Sequence, residues 1–432
     1  MLKTNDPAEL TATEAAAEIA SGSLTATALM EALLARVEER EPIVKAWVHL
    51  DNDQALGAAR ESDTSGAGPL KGIPVGVKDI IDTADMPSQY GSPIYKGNQP
   101  RSDASCVQMV RNAGGVIMGK TVTTEFAARG ARDTTNPHNP NHTPGGSSSG
   151  SAAAVAAFMV PLAFGTQTVG SVLRPASYCG VYGYKPTYGE FGLQGVKENT
   201  GELDTVGLFA RSVDDISFLR SGMLRLGDNS LNTPELSDLR IGFCRTPNWS
   251  EVEDTTAALI EGAAAELFKA GATVEDLTLD ETAFQESVAA NQIIKGYGME
   301  RSIAWELANH KDKISKALMD SYLKDVGHIP HGDWRNAVRV SNDYRTKFSD
   351  ETKDYDIMLT ASCFGEALEG IKATGSPLMN ELATRVHIPA ISIPAFTGPK
   401  GLPVGAQLMG HWGEDHKFLE AAKTIASVLI KD

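Results

Sequence analysis

The stretch Thr143–Phe158, TPGGSSSGSAAAVAAF, crowds glycines and hydroxyls ahead of an alanine run. Such a composition serves a linker, a phosphate cradle or the seat of a nucleophilic serine. A linker would run into a polar break, but SAAAVAAFMV follows at once, a helix with no solvated face, and a helix apolar all round is buried. A phosphate cradle needs G-x-x-x-x-G-K-[ST] or G-x-G-x-x-G after a strand, and neither reads here. A serine nucleophile needs a base to take its proton. No histidine falls between His142 and His310, and no strand precedes GGSSSGS as a G-x-S-x-G elbow requires. A lysine can replace histidine when burial keeps it neutral. Lys78 is the best-placed lysine for that work. By position alone Lys78 also reads as a surface lysine at a strand end, Ser147 as a helix cap, and Ser171 as a turn serine before Arg174-Pro175.

These residues need elements to hold them. Ile73, Val75 and Val77 alternate as in a strand that ends at Lys78. ASCVQMVRNAGG then VIMGKT predicts helix, glycine stop and buried strand; LRIGFC, TTAALIEGAAAELFKAGA and TVEDLTL repeat the order. YDIMLTAS, PAISIPA and LPVGAQLMG predict late strands bounded by Gly and Pro. The N-terminal LTATEAAAEIASGSLTATALMEALLARVEER predicts two helices, with a Thr11–Glu14 capping box, a break at Gly22, and Leu29, Leu33, Leu34 and Val37 as a packing face. Ser62–Pro69 reads as a loop. Residues 281–348 read as helical and polar with mostly solvated charges, interrupted by His328–Trp334. His328 and His331 read there as surface residues rather than metal ligands. The alternation predicts an α/β protein with a large, mostly buried sheet. No linker divides the chain, so residues 1–432 are expected to form one domain.

Composition sets outer bounds. With 39 basic and 55 acidic residues the net charge is −16, which disfavours a nucleic-acid partner. Cys106, Cys179, Cys244 and Cys363 are too scattered for a disulfide framework or a zinc site, and read as buried free thiols. The longest apolar run, Ala152–Phe164, spans 13 residues with Pro161 inside it, short of the roughly 18 a membrane span needs. No signal peptide reads from MLKTNDPAEL, and the expected location is the cytoplasm.

The segments GGSSSGSAAAVAAFMVPLAFGTQTVGSVLRPASYCGVYGYKPTYG, KGIPVGVKDIIDTADMPSQYGSPIY and HIPAISIPAFTGPKGLPVGAQLMG resemble, in order and along nearly the whole chain, the amidase signature family. The resemblance implies a single-domain α/β fold whose core, 70–215, carries a Ser–cis-Ser–Lys triad, with 281–348 as a variable region that shapes the substrate site. The family lysine matches Lys78. Its middle serine, held by a cis peptide bond, matches Ser147, and its nucleophile matches Ser171, 171 − 147 = 24 residues on. The backbone N–H groups of Thr168, Val169, Gly170 and Ser171 would meet the oxyanion, and Phe126 and Ala127 would line the acyl pocket. Ser148 is expected to touch the triad, and Ser149 and Ser151 to support it. The chemistry requires no metal or organic cofactor. The resemblance allows a homodimer, though no interface reads from the sequence.

Four departures stand out. Val169 replaces a glycine before the nucleophile, so either the backbone there is ordinary or the oxyanion hole is reshaped. Gln167 replaces an acidic residue and removes an expected charge. Arg174 stands three residues after Ser171 rather than two, leaving its partner open, and Val122 stands where asparagine is frequent. The expected function is hydrolysis of a small linear amide through a Ser171 acyl-enzyme, extending to anilides, carbamates or esters. The alternatives are a glutamine-hydrolysing subunit of a tRNA-dependent amidotransferase, or a non-catalytic binding protein on the same fold.

Overall fold

The computed structural model describes residues 6–227, 230–324 and 327–430. Eleven strands form one mixed sheet: β1 Trp47–His49, β2 Pro74–Lys78, β3 Val116–Thr121, β4 Leu162–Gln167, β5 Tyr182–Lys185, β6 Thr205–Ala210, β7 Arg240–Cys244, β8 Thr273–Leu277, β9 Ile357–Ala361, β10 Ala390–Thr397 and β11 Pro403–Met409. Their order is β1-β3-β2-β4-β6-β5-β10-β11-β9-β7-β8. The strands drawn from residues 70–215, β2 to β6, are all neighbours, so one continuous segment builds a block of the sheet. β2 runs parallel to both β3 and β4, and β4 runs antiparallel to β6. All five residues of β2 are buried. The alternation seen in the sequence therefore marks a strand covered on both faces rather than one half-exposed.

The buried alanine helix is Ser149–Ala156, every residue of it inside the molecule except its last. It packs against β2, β3, β4 and β6. Gly150 makes this approach attainable: a Cβ there would lie 2.2 Å from the Ala46 carbonyl and 2.3 Å from Val122 N. The Gly150 N–H instead donates to the Val122 carbonyl at 3.0 Å. Val122, where the sequence departs from the family's asparagine, thus contributes through its backbone.

The N-terminal helices are Ala12–Ser21 and Ala26–Val44, with the Thr11–Glu14 box formed and Gly22 left-handed at φ +78°. Two expectations need correction. Ser62–Ser65 complete the helix Asn52–Ser65, so only the end of the expected loop is irregular. The interruption before Trp334 stops at Pro330, because His331–Thr352 is already helical; His331 Nδ1 lies 2.8 Å from the Tyr297 hydroxyl. Most charges of 281–348 are at least partly solvated, with Lys295 and Glu306 as buried exceptions. Lys295 pairs with Glu381 at 3.0 Å, and Glu306 is buried against Lys197 at 2.7 Å and the Tyr95 hydroxyl at 2.6 Å. All four cysteines are free and buried. Among the described residues no helix is long and apolar enough to cross a membrane.

Candidate active site

Lys78 ends β2 with no exposed surface, which excludes the surface-lysine alternative. Its Nζ lies 2.9 Å from Ser147 Oγ, 2.7 Å from Thr166 Oγ1 and 3.3 Å from the Thr166 carbonyl. None of these neighbours is an anion. Burial therefore pushes the Lys78 amine well below the ordinary lysine range, against a smaller opposing pull from the Asp204 charge. The Gly146–Ser147 peptide bond is cis, as the resemblance implies. Ser147 is not the helix cap. Ser148 occupies that position and makes no capping bond; its Oγ donates to the Thr166 carbonyl at 3.3 Å, the oxygen Lys78 also approaches. Ser149 donates to the Gly145 carbonyl at 2.8 Å and Ser151 to the Phe164 carbonyl at 2.7 Å.

Ser171 opens the turn between β4 and the helix Leu173–Cys179 and is 8% exposed. Arg174 settles where that turn sits. Its guanidinium donates to the Gly146 carbonyl, and to the Gly375 carbonyl at 3.0 Å. The segment carrying Ser171 is thereby docked on the segment carrying Ser147. No hydrogen bond joins the two serines, and Ser171 Oγ has no partner among the described residues.

The turn before Ser171 is held from outside. Gln167 Oε1 accepts from the N–H groups of Val172 at 2.9 Å and Leu173 at 3.1 Å, and its Nε2 donates to Thr384 Oγ1 at 3.0 Å. A neutral amide thus caps the helix after Ser171. The Thr384 hydroxyl donates to the Val169 carbonyl at 3.2 Å. Val169 does not have a positive φ, so the valine meets none of the left-handed strain that would favour glycine there. Among the described residues no acceptor takes the N–H groups of Thr168, Val169, Gly170 or Ser171. A side chain at Gly170 would force its neighbours to shift: its Cβ would lie 2.6 Å from Asn380 Oδ1 and 3.0 Å from Pro377 Cβ.

Thr166, Asp204, Asn380 and Thr384 were not marked in the sequence. Asp204 places a buried carboxyl beside the start of the turn that leads to Ser171. Because Gln167 pairs with Thr205 across β4 and β6, the next residues outward meet, and Thr168 Oγ1 donates to Asp204 Oδ1 at 2.5 Å. Burial raises the Asp204 carboxyl to about 6, opposed chiefly by the Thr168 hydroxyl. The signal was the acidic residue directly before a strand, which carries no weight until the register is known. Phe126 and Ala127 are buried with φ of 47° and 56°, an uncommon left-handed pair outside glycine. Their turn reaches the site through Thr124, whose N–H donates to the Ser147 carbonyl at 3.3 Å.

A family model described as Amidase matches residues 28–419. The chain belongs to the amidase family. It is 31% identical to a glutamyl-tRNA(Gln) amidotransferase subunit of Chloroflexus aurantiacus, with 93% of each chain covered. Among solved structures, it superposes on 6-aminohexanoate cyclic dimer hydrolase with a TM-score of 0.85 at 27% identity, covering 98% of both chains. The peptide amidase of Stenotrophomonas maltophilia gives 0.83 at 27% identity, again with 98% of both chains covered. The protein is an amidase-signature enzyme of the carbon–nitrogen hydrolase type with the large mixed sheet of that family.

Proposed function

We propose that the protein hydrolyses a small linear amide through an acyl-enzyme on Ser171, with Ser147 as proton relay and Lys78 as base. The Lys78 environment carries this reading. A neutral amine has two N–H donors and one lone pair. Thr166 supplies two acceptors, its hydroxyl and its carbonyl, so the lone pair remains for the Ser147 proton. As Ser171 Oγ attacks the carbonyl carbon, its proton passes to Ser147 Oγ and that of Ser147 to Lys78 Nζ. The carbonyl π electrons move to oxygen, which the N–H groups from Thr168 to Ser171 stabilise. A single such donor is typically worth about 10²–10³ in kcat. Collapse breaks the C–N bond, and the nitrogen leaves with a proton returned through Ser147 from Lys78. Water then attacks the ester over the same relay and frees Ser171. The same steps apply to anilides, carbamates and esters, since each presents an acyl carbon to the serine. Phe126 and Ala127 would line the acyl side, and the expected location is the cytoplasm.

Ser171→Ala should remove turnover by about 10⁴-fold or more while the chain stays folded. Undiminished hydrolysis across a panel of amides, anilides, carbamates and ureides would sink the assignment.

A second reading is the glutamine-hydrolysing component of a tRNA-dependent amidotransferase, favoured by the 31% identity to the Chloroflexus protein over 93% of that relative. Ammonia release from glutamine that rises when partner proteins are added would support it. No release under either condition would remove it.

A further inference from the structure

A cleft of about 420 Å³ runs beside the Ser171 turn, with Arg129, Lys295, Tyr322, Pro377, Leu378 and Glu381 in its lining. Two borders tie it to the candidate site. Pro377 Cβ stands 3.0 Å from where a Cβ on Gly170 would be. On the other side, Arg129 closes the turn that begins at Thr124: the Glu125 N–H donates to the Arg129 carbonyl at 2.9 Å, and the Thr124 N–H to the Ser147 carbonyl at 3.3 Å. The cleft thus lies between the residue that packs on the nucleophile turn and the segment bonded to the relay serine.

Its charges are unequal. Glu381 is satisfied by Lys295 at 3.0 Å and by the Asn291 amide at 2.6 Å. Arg129 is exposed, its guanidinium 5.5 Å from the centre of the Tyr322 ring, and it has no carboxylate partner among the described residues. Two cations against one carboxylate leave 2 − 1 = +1 in this lining, on a chain of net charge −16. An anionic ligand is drawn to such a cleft, and a guanidinium laid over an aromatic ring keeps its planar fork free for a carboxylate.

We infer that Arg129 selects amide substrates that carry a carboxylate, which it pairs with while the amide lies at Ser171. This deepens the hydrolase reading and rests on it.

The test compares succinamate, glutaramate and adipamate with butyramide, valeramide and hexanamide. The wild-type chain should favour the best anionic amide over its neutral counterpart by about tenfold or more in kcat/KM, the usual worth of a charge-assisted hydrogen bond. Arg129→Leu should bring that ratio close to one, mainly through KM. Arg129→Lys should restore part of it, and added salt should shrink it. No preference in the wild type, or one that survives Arg129→Leu, overturns the inference. Turnover that persists in Ser171→Ala would sink the nucleophile instead and leave the ratio to be scored. If no amide in the series is turned over, calorimetry on the Ser171→Ala chain decides: binding of the anionic amides that needs Arg129 supports the inference, and its absence overturns it.

Discussion

Lys78 and Lys120 are both fully buried, on adjacent parallel strands. Register places Lys78 beside Thr121 and Lys120 beside Val77, so the two side chains leave opposite faces of the sheet. Burial pushes both amines below the ordinary lysine range. What meets each amine differs. Lys120 Nζ finds the Asp79 carboxylate at 3.2 Å and Ser88 Oγ at 2.5 Å, and that carboxylate holds its charge in place. Lys78 finds two hydroxyls and a carbonyl, with Asp204 acting only from beyond hydrogen-bond range. One environment keeps an ion pair; the other favours a neutral amine. The same residue type is a strut on one face and a candidate base on the other, and the neighbour decides which.

Exchanging the outcomes would break that comparison. Lys78→Ala should lower turnover most, by about 10²–10⁴-fold, the span of a lost general base. The loss should deepen as pH falls, where hydroxide is scarce, and the folded fraction by circular dichroism should stay the same. Lys120→Ala should act on stability instead. It leaves Asp79 buried without its cation, at a cost of about 3–5 kcal/mol. Urea unfolding should show the lowered midpoint, and turnover per folded molecule should fall far less than in Lys78→Ala. A variant of Lys120 that loses turnover at full stability would show the pairing above to be wrong.

The smallest effect sharpens the comparison through pH. The Asp204 anion favours the protonated Lys78. Asp204→Asn removes that anion, so Lys78 should lose its proton at lower pH. The acidic limb of the kcat/KM profile should then move down in pH. A limb that stays in place or moves up would separate Asp204 from Lys78.

The β9, β10 and β11 strands were legible as short apolar runs near Gly or Pro, β2 by its alternation up to Lys78, and β3, β7 and β8 by the repeated order of strand and helix. The positions of Lys78, Ser147 and Ser171 were legible through the family resemblance. Their neighbours were not. Thr166, Asp204 and Thr384 are ordinary residues in sequence, and they matter because strand pairing and helix packing bring them to one place. The Ser62–Ser65 end of its helix was missed because serine and threonine there look like loop chemistry, while packing of the preceding turns carries the helix onward.

Sequence by itself determined the alternation of elements, the buried alanine helix and the residue types able to do acyl chemistry. Those follow from local periodicity and from the chemistry each side chain carries wherever it lies. Tertiary structure alone decided that Lys78 is buried, that Arg174 docks the Ser171 turn on Gly146, and that the Asp204 carboxyl meets Thr168. Desolvation and pairing depend on what surrounds a group in space, and residues as far apart as 78, 147 and 204 meet only once the sheet has set their register.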